Sequence, residues 1–124
     1  MRIAVVIPAY RAASTIGPLV EALLAAPYVT ALYVGDDASD DGTVDVVTRW
    51  AGWWPLLIRH THNQGVGAAT MTGFRRALKD GADVVVKMDA DGQMDPAMLP
   101  LLLSGLGKRK GDATGATAVK GTRF

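Results

Sequence analysis

Short apolar runs rich in β-branched residues recur along the chain, at Ile3–Ile7, Ala31–Val34, Leu56–Arg59 and Asp83–Met88, and a segment of helical spacing follows each. Strands joined through helices re-enter the sheet in the direction they left it, so this alternation demands βαβ units and parallel pairing. It predicts an α/β fold with a doubly wound, mainly parallel sheet and helices on both faces. Pro8 should end the first strand. Ser14 is placed to cap a helix through about Ala26, with Ile16, Leu19, Val20, Leu23 and Leu24 on one buried face. Asp40 or Asp41 would cap a second helix carrying Val44, Val46, Val47 and Trp50. Gly67–Leu78 reads as a third helix, Pro96 as the first turn of a fourth through about Leu103, and Ala116–Val119 as the start of a fifth strand.

With 124 residues and 49% apolar content, the chain has the size of one domain, 1–124, with a core of its own. Its formal net charge of +1 gives no overall field for nucleic acid or an anionic membrane. Lys108-Arg109-Lys110 is the only basic run and reads as a solvated loop or helix end, next to the Gly-rich loop 105–117. The absence of cysteine rules out disulfides and thiolate metal sites and fits a reducing, cytoplasmic setting. The opening run Ile3–Ile7 is too short for a signal peptide or a membrane span.

In an open α/β sheet, ligands bind at the carboxyl ends of the strands. Three of the first four strands end there in loops with chemical content: Pro8-Ala9-Tyr10-Arg11, then Asp36 to Thr43, then Asp89-Ala90-Asp91-Gly92-Gln93. Two carboxylates one residue apart repel, and a hard divalent cation bridging to a phosphate relieves them. An acidic turn is the plain alternative. Tyr10 could stack on a base, Asp37 could accept from a base N–H, and Asp89 with Asp91 could meet a diphosphate through a metal. Together these make a nucleotide site. In Asn63–Ala69 the glycines, Gly65 among them, allow close backbone approach, and a following helix N-terminus favours negative charge.

Other tempting residues have simpler roles. His60 and His62 lack a third ligand at useful spacing and read as surface or core-packing residues. Trp50, Trp53 and Trp54 fit burial at a helix end better than a membrane-interface belt. Met71, Met88, Met94 and Met98 read as core fillers. Ser39 and Ser104 have no His–Asp context for a nucleophile, and Asp95 is most simply a helix cap.

In order and separation, Val5-Val6-Ile7-Pro8-Ala9-Tyr10, Val34 to Thr43, Asn63 to Ala69 and Met88 to Pro96 resemble the family 2 glycosyltransferases, whose nucleotide-sugar-binding fold is called GT-A. Gln93 after the acidic pair, Asp95-Pro96 behind it, and Gly121-Thr122-Arg123-Phe124 are similar to the branch that makes dolichyl- and polyprenyl-phosphate sugars. The resemblance implies a metal-dependent transferase using a UDP- or GDP-linked sugar. Pro8, Ala9 and Tyr10 would wall the base pocket, Asp37 would accept from the base, and Gly65 would lie near phosphate. Asp89, Ala90 and Asp91 would engage the donor, and Asp89, Asp91 and Gln93 would hold Mg²⁺ or Mn²⁺. Arg123 would face phosphate. A polyprenyl phosphate would be the acceptor, which places the protein peripherally at the cytoplasmic membrane face.

Arg11 stands where the family usually has Asn, Ala38 where Gly is usual, and Val66 where Lys is common. The family domain also runs on past Phe124, so this chain reads as the donor-binding half. The acceptor part and the catalytic base are expected beyond it, and the unpaired fifth strand is expected to invite self-association. Two other readings stay open: a non-catalytic nucleotide-binding module, and a phospho-acceptor receiver domain.

Overall fold

The computed structural model of the chain describes residues 2–49, 56–91 and 117–120. At its centre lies strand β1 (Ile3–Ala9), a run without charge that is buried along nearly its whole length. β2 (Ala31–Asp36) pairs with one edge of β1 and β3 (Leu56–Arg59) continues beyond β2, while β4 (Val84–Lys87) pairs with the other edge. All of these pairings are parallel. The fifth strand, β5 (Thr117–Lys120), joins β4 antiparallel, with Val85 opposite Val119, and completes the order β3-β2-β1-β4-β5. It starts one residue later than the sequence suggests.

Helices cover both faces. α1 (Ile16–Leu24) buries Ile16, Leu19, Val20 and Leu23, one stripe at helical spacing. With Val47 of α2 (Thr43–Thr48) they pack on Val5, Ile7, Leu32, Val34, Val86 and Met88. Side chains alternate across a strand, so Ala4, Val6, Tyr33 and Val85 face the other way. There they meet Ala77 and the partly buried Phe74 and Leu78 of α3 (Val66–Lys79). The buried stripe of α3 consists of small residues, Ala69, Gly73 and Ala77, and a Cβ built at Gly73 would meet Val6, so the helix packs close on the sheet.

Several local expectations are corrected. β1 does not stop at Pro8 but runs through it, with Pro8 opposite Gly35. Val6 O accepts from Met88 N–H at 2.9 Å, which sets the alternation and turns Pro8 toward β4 just past the last β4 pairing, at Lys87. The missing N–H of proline therefore costs no ladder bond there. Ser14 does not cap α1. Thr15 holds the cap position without a side-chain cap bond, because its hydroxyl is used elsewhere, and the helix ends at Leu24. Gly42, at φ 94°, precedes α2, and Asp41 acts from one residue further back, accepting from Thr43 N–H at 3.1 Å. Trp50, Trp53, Trp54, Met94, Asp95, Met98, Ser104, the basic run at Lys108 and the helix expected from Pro96 lie outside the described residues.

Gly35 fixes how near α3 can approach β2. A Cβ built there would lie 2.7 Å from the Ala69 carbonyl oxygen, a backbone atom that cannot turn aside. Gly35→Ala should therefore push α3 off the sheet and cost about 1–3 kcal/mol of stability, read as a lower urea midpoint at unchanged slope. An unchanged midpoint would mean that α3 docks more loosely than the structure has it.

Candidate functional site

The loop from β2 to α2, Asp36 to Thr43, spends most of its polar groups on the segment that follows β1. Ser39 Oγ accepts from Arg11 N–H at 2.9 Å, and Thr43 Oγ accepts from Ala12 N–H at 2.9 Å. Asp41 Oδ2 accepts from Ala13 N–H at 3.3 Å. The Arg11 guanidinium grips Asp40 through two bonds, of 2.9 and 3.1 Å, and lies 5.2 Å from the centre of the Tyr10 ring. Tyr10 itself is 45% exposed, a large apolar ring held open at the strand end. Among the described residues, two non-glycine residues have positive φ, Arg11 at 51° and Ala38 at 65°. The second is the position where a glycine is usual.

Asp36 is fully buried; its Oδ2 accepts from Ser39 N–H at 3.0 Å and lies 4.0 Å from the Arg59 guanidinium. Its Oδ1 has no hydrogen-bond partner among the described residues.

Asp37, 2% exposed, turns its carboxylate into the protein. Oδ1 accepts from Gln64 N–H at 2.9 Å and from His60 Nδ1 at 2.9 Å, and Oδ2 accepts from Gly65 N–H at 2.7 Å. A carboxylate only accepts, so Nδ1 carries the ring proton. His60 Nε2 meets the Thr72 hydroxyl at 2.9 Å. The order Thr72, His60, Asp37 has the connectivity of a nucleophile relay, but Thr72 sits inside α3, its hydroxyl 3.0 Å from Ala68 O as well as 2.9 Å from Nε2, with one proton to serve the two. Its role is to hold the ring. Gly65, at φ 102°, adopts the backbone that lets two successive amides point at one carboxylate. Burial pushes the Asp37 carboxyl up, but the bonds from Gln64, His60 and Gly65 outweigh it and hold it below the usual carboxylate value.

At the end of β4, Ala90 is buried and its carbonyl accepts from the Thr15 hydroxyl. That bond ties the Asp89–Asp91 loop to the first turn of α1. Asp89 and Asp91 flank the buried Ala90, Asp89 half-exposed and Asp91 exposed. Lys87 Nζ lies 3.3 Å from Asp89 Oδ1. Gln93 and Arg123 lie outside the described residues. Among the described residues, no three His, Cys, Asp or Glu side chains are grouped to hold a metal by themselves. Pro8, Ala9, Tyr10, Asp37, Gly65, Asp89, Ala90 and Asp91 all lie on the carboxyl edge of the sheet or in the loops that leave it. A cavity of about 210 Å³ lined by Arg2, Thr30, Tyr33 and Asp80 lies at the opposite, amino edge, away from these loops.

Residues 4–123 match the model of glycosyl transferase family 2. The chain belongs to that family. It is 38% identical over 105 residues to the undecaprenyl-phosphate mannosyltransferase of Micrococcus luteus, covering 83% of this chain and 43% of that one. Among solved structures it resembles glucosyl-3-phosphoglycerate synthase from Mycobacterium tuberculosis in complex with UDP, at TM-score 0.64 and 26% identity, covering 85% of this chain and 39% of that one. A mannosyltransferase from Pyrobaculum calidifontis in complex with GDP-Man and Mn²⁺ aligns at TM-score 0.50 and 29% identity, over 73% of this chain and 27% of that one. The fold is therefore the α/β GT-A fold, and the chain spans less than half the length of the curated relatives it matches.

Two substitutions probe the loops. Asp37→Asn places an amide N–H₂ against donors and should cost about 1–3 kcal/mol, the range for unpaired buried polar groups, with faster hydrogen exchange at Gln64 and Gly65. The native pKa lies below the unfolded one, so the carboxylate stabilises the fold above about pH 4. That contribution is lost as pH falls through the depressed native value. Acid should therefore loosen the wild-type loop, whereas the Asn variant should show no such step. Ala38→Gly removes the penalty of a left-handed Ala and should raise stability by up to about 1 kcal/mol, seen as a higher Tm.

Proposed function

We propose that this chain forms the donor-binding part of a glycosyltransferase that takes a nucleotide-diphosphate sugar, with a polyprenyl phosphate as acceptor of the whole enzyme. The observation that carries this reading is the juxtaposition, on one sheet edge of a family 2 chain, of an exposed aromatic ring and an acidic pair held by separate loops. Tyr10 would offer its face to the base, with Pro8 and Ala9 beneath it. Asp37 has four acceptor sites and uses three. Its side chain is 2% exposed, so its part in the site would be indirect: through Gly65 the carboxylate would set the backbone beside the phosphates.

Asp89 and Asp91 supply hard oxygen donors of the kind Mg²⁺ and Mn²⁺ take, with diphosphate oxygens and water filling the other positions. Gln93 and Arg123 are assigned to the metal and the phosphate by resemblance. Bound there, the cation would offset the charge of the departing nucleoside diphosphate. A phosphate acceptor is already an anion, so a general base is less needed than for a hydroxyl. Support for the lipid acceptor comes from relatives named as undecaprenyl-, dolichol- and polyprenol-phosphate sugar transferases. Attachment would be peripheral, at the cytoplasmic membrane face; among the described residues no helix is long and apolar enough to cross a membrane.

Calorimetry with UDP and with GDP, each with Mn²⁺ and with chelator, tests the donor site. Binding of one nucleotide is expected with Mn²⁺ and should fall at least tenfold in chelator or in Asp89→Asn. Equal affinity in chelator would remove the metal role of Asp89 and Asp91. No binding of either nucleotide would remove the donor site. Phosphorylation of Asp37 or Asp89 by acetyl phosphate would instead restore the receiver reading.

A further inference from the structure

β4 is a run of three valines followed by a lysine. Lys87 lies opposite Val6 on one side and Thr117 on the other, so its stem rises between two strands rather than from an edge. Its side chain is 27% exposed and that of Asp89 is 36% exposed, with Nζ 3.3 Å from Asp89 Oδ1. Lysine is seldom held this far from water without a partner, and a partly buried pair is less screened than a surface one. Asp89 thus already has a cation on one carboxylate oxygen before any metal arrives.

We propose that Lys87 is the resident counter-ion of the donor site: it neutralises Asp89 in the metal-free chain and turns to the diphosphate when a divalent cation takes its place on the carboxylate. This rests on the donor-site reading above. The consequence is a pair of effects with opposite sign. Towards a metal ion alone, the ammonium is a competitor for the same oxygen and a like charge beside it. Towards a diphosphate it is an added positive charge within the reach of one flexible four-carbon stem. A lysine with only a structural part in β4 would produce neither effect.

Lys87→Met keeps the stem and removes the charge, and Lys87→Arg keeps the charge. Mn²⁺ binding to each chain without nucleotide is read from the electron paramagnetic resonance of free Mn²⁺. UDP and GDP binding is read by calorimetry at saturating Mn²⁺, with uridine and guanosine as controls, and circular dichroism checks the fold. For Lys87→Met the expectation is several-fold tighter Mn²⁺ together with several-fold weaker diphosphate binding and unchanged nucleoside binding. Lys87→Arg should stay within about twofold of wild type in each. Unchanged or weaker Mn²⁺ binding in a folded Lys87→Met chain overturns the proposal. Tighter Mn²⁺ binding without loss of diphosphate affinity overturns its second half. If no chain binds either nucleotide, the donor-site reading fails, while the Mn²⁺ arm still decides whether Lys87 competes for Asp89.

Discussion

One carboxylate joins the elements that make the strand-end edge. Asp37 leaves β2, its N–H donates to Ala9 O at the end of β1, and its two oxygens gather His60 from the end of β3 and the amides that open α3. Each bond to a buried carboxylate is charge-assisted and stronger than a neutral one. Each donor would also cost free energy if left unpaired in the same place. Nothing in the hydrophobic pattern would hold residues 63–65 against β2, since Asn63 and Gln64 are exposed and the first buried residue of α3 is Ala69. The loop has its position because Asp37 is an anion, and α3 can follow it closely because Gly35 has no side chain.

Charge on this edge is uneven in a way that net charge conceals. The whole chain carries +1, yet Asp36 at the end of β2 and Asp37, Asp40, Asp41, Asp89 and Asp91 in the loops beyond the strands all lie on one side of the sheet. Arg11, Arg59 and Lys87 answer some of them, at Asp40, Asp36 and Asp89 respectively. The exposed Arg11–Asp40 pair adds little energy by itself, and its consequence is geometric, since the guanidinium that it fixes lies over Tyr10. The local field is a property of the fold, which collects residues scattered over the sequence.

The strand–helix alternation was legible because it rests on periodicities of two and 3.6 residues, which a sequence displays directly. The loaded loops were legible for the same reason, being the segments where the periodicity breaks. The bonds that hold those loops were not. His60 reaches Asp37 across 23 residues, and Thr15 reaches Ala90 across 75. No local spacing marks such pairs, and His60 read in isolation is indistinguishable from any histidine beside a strand. Ser39 and Thr43 were seen as motif members without a role, and Asp41 only as a candidate helix cap; the structure spends all three on the backbone of residues 11–13. Pro8 misled because a proline is expected to end a central strand, whereas here the neighbouring strand ends first. The departure at Ala38 was visible, and its meaning became clear only with its positive φ.

The topology also constrains the shape of anything that binds along this edge. Asp37 leaves β2 and Asp89 follows β4, and β1 lies between them. With neighbouring strands about 4.8 Å apart, the two loops stand roughly 10 Å from one another. A ligand touching both must be elongated, and must cross the end of β1, where Tyr10 is exposed. That arrangement is stiff rather than adaptable. The residues after β1 are pinned by Ser39, Asp41 and Thr43 on the β2 side, and Thr15, just beyond them, is bonded to Ala90 on the β4 side. The two acidic loops are therefore joined by hydrogen bonds through the segment from Tyr10 to Thr15. The two ends of an elongated ligand would meet loops held together by hydrogen bonds already formed before it arrives.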